Sequence, residues 1–405
     1  MNTWQMASRN LMRARRRSSI TVLAMALALG IMIAYSGLFD GMMSGMKENA
    51  IMLDMGHIQI HAEGYRDTPS IYTRITDAED ITQNIIAKGY MASERLFANG
   101  LVAKGNSSAG VMLRGVDAEG EEAAMQLPGH VKNGKWLSKD DQHGVVLGFR
   151  LAKTLSAKIG DEIVFVSQAA DGSMANDLYT VRGTLKSAGE MIDRSGLFMN
   201  IDAFRELMVI ENGAHEIVVT IDEEKNLEEA VGNIKNMAKE NEVLSWQEIN
   251  PSLFEMLNAS KSMMIPMIVI TYIAIAIVIL NAMLMAVFER IKEYGVMKAL
   301  GMGPLGIFNM VVAETMLMAI TATVLGLLLG ISLSWYFQTY GIDLTSVAEG
   351  ATFSGVAYNS IWKSKLTLES VLQPVIVLYI MVALAAIYPA VKAARLNPIE
   401  AIHHN

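Results

Sequence analysis

The sequence predicts a membrane protein built from four transmembrane α-helices, with a large α+β domain outside the membrane between helices 1 and 2. Three observations predict it. The 405 residues are 52% hydrophobic and only 18% charged, with a mean hydropathy of +0.31, too apolar for an ordinary soluble enzyme. Four stretches are each long and apolar enough to cross a bilayer. Between the first two of these, strand-like and helix-like patterns alternate over a span sufficient for its own core.

Residues 1–18 form a basic N-terminal segment with Arg9, Arg13, Arg15, Arg16 and Arg17. Residues 19–39 follow without a charge and make transmembrane helix 1. A signal peptide would also place an apolar run after a basic segment, but this run exceeds the usual h-region of about 7–15 residues and no small-x-small site closes it before Phe39. Residues 263–288 make helix 2, 308–337 helix 3 with Glu314 as its one charge, and 371–391 helix 4. A hydrocarbon core about 30 Å thick needs about 20 helical residues, which close their hydrogen bonds internally. The loops are 289–307 and 338–370, and the tail is 392–405.

Lys and Arg set the orientation. The N-terminal segment, the 289–307 loop (Arg290, Lys292, Lys298) and the tail (Lys392, Arg395) share one side; the 338–370 loop has only Lys363 and Lys365. By the positive-inside rule both termini are cytoplasmic. Residues 40–262 are then outside, with 21 basic against 34 acidic residues, a net of −13 that argues against nucleic acid as a partner.

Within 40–262, strand alternation marks 57–61, 111–114, 162–166 and 216–221. Helical spacing marks 77–88 and 227–241, the latter with Leu227, Val231, Ile234 and Ala238 on one face. The stretch Val145-Val146-Leu147-Gly148 to Leu151-Ala152-Lys153 to Ile159-Gly160-Asp161 reads as strand, short helix and glycine turn.

Most motifs point away from catalysis. With no cysteine there is neither a disulfide framework nor a thiolate metal site. His57 and His61 on one strand would sit about 13 Å apart, too far to share a metal ion. Gly129-x4-Gly134-Lys135 begins like a phosphate-binding loop, but Trp136 stands where a Ser or Thr would hold Mg²⁺, so a surface turn is expected. The acidic pairs Glu121-Glu122 and Asp140-Asp141 read as solvated faces. In helix 3, a carboxyl inside a span is costly, so Glu314 is expected to bond to a neighbouring helix or reach the interface. Gly326-x-x-x-Gly330 allows close packing inside the bundle.

The 289–307 loop reads as a short amphipathic helix ended by glycines and proline. Its charges face water or a partner, and Ile291, Val296, Met297 and Leu300 face bilayer or bundle. Its pattern, Glu289-Arg290-x-x-Glu293-x-Gly295-x-x-Lys298-Ala299-Leu300-Gly301, is similar to that of FtsX/MacB-type ABC transporter permeases, among which the lipoprotein-releasing LolC/LolE-like permeases are nearest. Further matches carry the resemblance along the chain: Ala7-x-Arg9-Asn10-Leu11 at the start, Val146-Leu147-Gly148-x-x-Leu151-Ala152 with Gly160-Asp161 in the middle, and Pro389-Ala390-x-x-Ala393-Ala394-Arg395-x-x-Pro398-x-Glu400-Ala401 at the end.

The resemblance implies an inner-membrane permease, not itself an enzyme, with a MacB-like periplasmic core domain at 40–262. No cofactor is expected in this chain. ATP and Mg would sit on a separate cytoplasmic ATPase dimer docked on the 289–307 loop, where Glu289, Arg290, Glu293 and Lys298 are the docking charges and Gly295 and Gly301 shape the helix. A second permease subunit, identical or homologous, a periplasmic carrier or adaptor, membrane lipid, and a lipidated or amphiphilic substrate are the implied partners. Extraction of lipoproteins is the leading expectation; MacB-like export of peptides or antibiotics, or FtsX-like signalling to a periplasmic hydrolase, are the alternatives. Met32, Phe39, Met42 and Met43, at the outer end of helix 1, are the candidates for substrate contact, thioethers being adaptable to apolar cargo.

Overall fold

The structure, a computed structural model, describes residues 15–222, 226–344, 352–353, 355–357 and 361–397. The matches at Ala7 to Leu11, the arginines at 9 and 13, and Pro398, Glu400 and Ala401 lie outside the described residues. The chain divides into two units, one comprising residues up to Met43, Asn258–Asp343 and from Ile361 on, the other Ser44–Leu257 and Leu344–Ser360.

The second unit is built on a ten-stranded sheet. Helix α1 (Arg15–Ala50) enters it, widens into a π-helical turn at Ile51–Met55, and turns at Gly56 into β1 (Ile58–Ala62). Gly56 has φ +67°, and a side chain there would strike Val218, so glycine is required on both counts. Then come α2 (Ala78–Ala87), β2 (Met91–Lys104), β3 (Ser107–Val116), α3 (Ala118–Ala124), a 3₁₀ turn at Leu127–His130, β4 (Val131–Gly134) and β5 (Gly144–Leu147). The chain continues through α4 (Phe149–Thr154), β6 (Glu162–Gln168), β7 (Met174–Leu185), α5 (Glu190–Ser195), β8 (Gly196–Asn200), α6 (Ile201–Met208) and β9 (Glu216–Thr220). It closes with α7 (Leu227–Met237), β10 (Asn241–Ser245) and α8 (Trp246–Ile249). Strand order is β10-β1-β9-β2-β3-β8-β5-β7-β4, with β6 bridging β2 and β7. Among the described residues, only β3–β8 and β5–β7 pair parallel.

Central strands β5, β8 and β9 are buried throughout, because cores form on both faces. Ile81 and Ile85 of α2 and Ala230 and Ile234 of α7 pack on Ile58, Ile60, Ile217 and Val219. Helix starts are set locally: Asp117, Asn200 and Asn226 accept from the backbone N–H groups of Gly120, Asp202 and Glu228. Gly148 must stay small because a side chain would collide with Ile192 O, and Asp161 pairs with Lys104 at 2.5 Å. Two short strands, β12 (Thr352–Phe353) and β13 (Val356–Ala357), belong to this unit, although the sequence places them in the loop between spans 3 and 4. Val356 enters a core with Ile51, Trp246 and Leu253, and Gly355 O accepts from Glu190 N–H at 2.9 Å.

Three expectations change. The 227–241 helix stops at Met237, and Asn241 opens β10, whose pairing with β1 outweighs helical spacing. Within 129–136, residues 131–134 form the edge strand β4 paired with β7 rather than a turn, and Trp136 lies against Phe198 at 5.7 Å. Glu121 is not solvated: α3 turns it inward, 0% exposed, onto Arg95, and leaves only Glu122 outside.

The first unit holds the apolar helices. Besides α1, these are α9 (Pro251–Glu289), the short α10 (Ile291–Ala299), α11 (Pro304–Tyr340) and α12 (Leu368–Ala394), with the small pair β11 (Ile342–Asp343) and β14 (Ile361–Trp362). α1 (from Ser18), α9, α11 and α12 are long and apolar enough to cross a membrane. They extend beyond the charge-free stretches, since helical hydrogen bonding continues where apolar composition ends. α12 starts with a capping box at Thr367 and Ser370.

Candidate coupling site

The turn between α9 and α11 is assembled by local rules. Arg290 leaves helical geometry (φ −111°, ψ 17°) and ends α9, and α10 begins at once. α10 ends in a Schellman motif: Gly301, at φ +97°, donates its N–H to Lys298 O and Met302 donates to Met297 O, both at 3.0 Å. Gly303 and Pro304 then start α11, proline occupying a first-turn position where no N–H is needed.

The side chains of this turn do not all face outward. Arg290 Nε donates to Glu293 Oε2 at 2.7 Å, and its Nη1 donates to Glu314 Oε1 at 2.8 Å. The guanidinium also lies over the Tyr294 ring, 5.4 Å from its centroid. Lys298 Nζ donates to Ala394 O at 2.6 Å and Leu396 O at 2.7 Å, capping the carbonyl end of α12. Ile291, Tyr294 and Gly295 are buried, and Met297 is half-buried. Arg290 and Lys298, expected to face water, are therefore directed into the bundle, because the Glu314 carboxylate and the orphan carbonyls of α12 need donors there.

What remains outward is a mixed face. Glu289, Lys292 and Glu293 are exposed, and with them Val296, Leu300 and Leu305, the last two at 83% and 75%. Lys292, Val296 and Leu300 succeed one another at i, i+4 and i+8, one stripe of α10. Leu305 was not singled out from sequence; its signal would have been an apolar residue directly after the Gly-Met-Gly-Pro break.

The structure sets Gly326 and Gly330 against α1. A side chain on Gly326 would meet Leu29 Cβ at 2.9 Å and Ala26 O at 3.0 Å; one on Gly330 would meet Ile33 Cβ at 2.8 Å and Gly30 O at 3.1 Å. Met32 lies in the core of this unit, Phe39 packs partly against it beside Tyr35, and Met42 and Met43 are half-buried. The apolar residues that α1 leaves exposed form another stripe, Ile20, Leu23, Leu27 and Ile31.

Ala390, Ala393 and Ala394, from the C-terminal pattern, are buried, and these small side chains bring the α12 backbone within reach of Lys298. His57 and His61 of the other unit serve structure: His57 Nδ1 accepts from Ile221 N–H, and His61 lies between Gln59 and His215 O.

The family profile for a MacB-like periplasmic core domain matches residues 18–237, and that for an FtsX-like permease C-terminal region matches 265–398. An uncharacterized ABC transporter permease of Methanocaldococcus jannaschii is 25% identical over 67% of this chain and 65% of its own, so the chain spans a little under two thirds of that relative. The lipoprotein-releasing system transmembrane protein LolC of Xylella fastidiosa is 23% identical over 97% of both chains. Among solved structures, the periplasmic region of MacB from Actinobacillus actinomycetemcomitans aligns with 50% of this chain and 94% of its own, at 15% identity and a TM-score of 0.38.

Proposed function

Because the chain belongs to the FtsX-like permeases that carry a MacB-like periplasmic core domain, we propose that it converts ATP hydrolysis by a separate cytoplasmic ATPase into movement of its periplasmic domain, and that it thereby extracts lipoproteins from the inner membrane. It is a permease of the ABC transporter type, and its likeness to a LolC protein over 97% of both chains supports a lipidated cargo. Among the described residues no cluster of metal-ligating side chains occurs. ATP and Mg belong to the partner in this reading, and both termini lie in the cytoplasm, as the Lys and Arg distribution suggests.

The observation that carries the proposal is the build of the α10 turn. Arg290 ties it to Glu314 of α11 and Lys298 ties it to the end of α12, so a push on α10 is delivered to two spans at once. The exposed Val296, Leu300 and Leu305, flanked by Lys292 and Glu293, supply an apolar patch with a charged rim, the composition suited to a docked partner. This shifts the docking contacts from Arg290 and Lys298 to the apolar stripe, while Glu289 and Glu293 keep their proposed part.

The test is purification of the full chain from its native membrane in mild detergent. An ATPase, a second permease and a lipidated protein should co-purify, and Val296→Glu with Leu300→Glu should remove the ATPase while the chain still inserts. A chain that brings down no ATPase, or whose ATPase survives both substitutions, would falsify the docking face.

A further inference from the structure

The carbonyl end of a helix is an unsatisfied, partly negative terminus. In this protein the sheet and the connection after α3 satisfy that terminus of the first helix. Met52 O accepts from Gln126 N–H at 2.8 Å, Asp54 O from Arg95 Nη1 at 2.6 Å, and Met55 O from Gln59 Nε2 at 2.9 Å. The Asp54 carboxylate accepts from Arg114 Nη1 at 2.6 Å. One residue of the π turn is thus bonded to β2 through its main chain and to β3 through its side chain.

Both arginines are themselves immobilised. Arg95, 2% exposed, is held bidentate by Glu121 at 2.5 and 3.1 Å and by Glu216 at 2.9 Å across the β2–β9 register. Burial alone would lower its pKa, and the carboxylates of Glu121 and Glu216 more than reverse this, so it stays charged. Arg114 lies over the rings of Phe97 and Phe198, at 5.6 and 5.5 Å. The turn they grip is π-helical, a rare geometry often found at functional sites.

Leu53 is buried against Val116 and Leu127, and such apolar contact resists separation but not rotation. The directional bonds at Asp54 fix the azimuth of the helix end. The Asp54 carboxylate is 37% exposed while Arg114 is 6% exposed and rests on the rings of Phe97 and Phe198, so losing the carboxylate costs some stability but leaves the guanidinium its ring contacts.

We infer that Asp54, with Arg95 and Arg114, is the joint through which displacement of the first helix reaches the sheet, and that these are positioning residues for the coupled cycle. The inference rests on the coupling reading above. In the joint, Arg95 is the fixed anchor, since removing it orphans two buried carboxylates, and the Asp54–Arg114 tie is the part that transmits.

The experiment uses the full chain with its co-purified ATPase in lipid nanodiscs, following hydrogen exchange in β2 and β3 with and without ATP and vanadate. In the wild type the nucleotide should change exchange in these strands. In Asp54→Ala that change should fall about fivefold, the scale of an ordinary coupling free energy. ATPase turnover should hold, and the melting temperature should stay within about 4 °C of wild type. Asp54→Glu, which restores the carboxylate, should recover most of the response. A wild-type-like response in Asp54→Ala overturns the joint alone. A response lost together with turnover and melting temperature assigns Asp54 a merely structural role and also overturns it. Absence of any nucleotide response in the wild type overturns the coupling reading itself.

Discussion

Arg290 and Glu314 meet at 2.8 Å, 24 residues apart, and join the turn before α10 to a buried carboxylate one-tenth or less exposed in α11. Glu314→Leu would leave the half-buried guanidinium with Glu293 alone. We expect a loss of about 1–3 kcal/mol, the cost of orphaning a buried charged donor, read as a lower melting temperature in detergent. Glu314→Gln keeps the shape and an acceptor for Arg290 and should lose less than half as much; equal losses would show that the carboxylate charge, not the acceptor, carries the effect.

Gly330 lies under Ile33 and Gly30 O, with no room for a side chain. Gly330→Leu should push α1 from α11 and destabilise the chain by about 1–3 kcal/mol, as overpacking does. Gly303→Ser, where an added Cβ meets nothing and serine is a good residue to precede a helix, is the control for the same thermal measurement and should not lower the melting temperature.

Glu121 and Glu122 are neighbours with opposite surroundings. Glu121→Leu strips the buried Arg95 of its bidentate partner and should cost about 3–5 kcal/mol. Glu122→Leu, on the exposed side of α3, should change stability by no more than about 0.5 kcal/mol. Limited trypsinolysis of the full chain in detergent separates the two: rapid cleavage within 44–257 is expected for the first only.

The external domain should weaken in mild acid. Burial lowers the ring pKa of His57 to about 4, helped by Lys47, and that of His215 to about 4, where Arg74 and His61 add to burial and a bond to Ile71 O opposes it. His215 Nδ1 accepts from Phe97 N–H at 2.9 Å, so the neutral ring is built into the fold. The unfolded chain takes up protons at each ring below about 6.5 and the folded domain only near 4, so stability falls with pH through that window and levels off below it. For His215 the full effect is about 3 kcal/mol. A melting temperature that holds constant from pH 7 to 4.5 would refute this, and His215→Gln should flatten the profile.

The sequence by itself determined the four spans and the domain between the first two, because crossing a bilayer demands uninterrupted apolar length and nothing remote can supply it. It also determined where α10 ends, since Gly301, Gly303 and Pro304 act through local backbone geometry. Only the tertiary structure decided which charges work inward. Arg290, Lys298 and Glu121 sit among similar exposed residues in the chain, and their partners, Glu314, the α12 carbonyls and Arg95, are 24 or more residues away. An ion pair leaves no periodic trace in a sequence. It becomes visible when folding removes water from both partners and makes an unpaired charge costly.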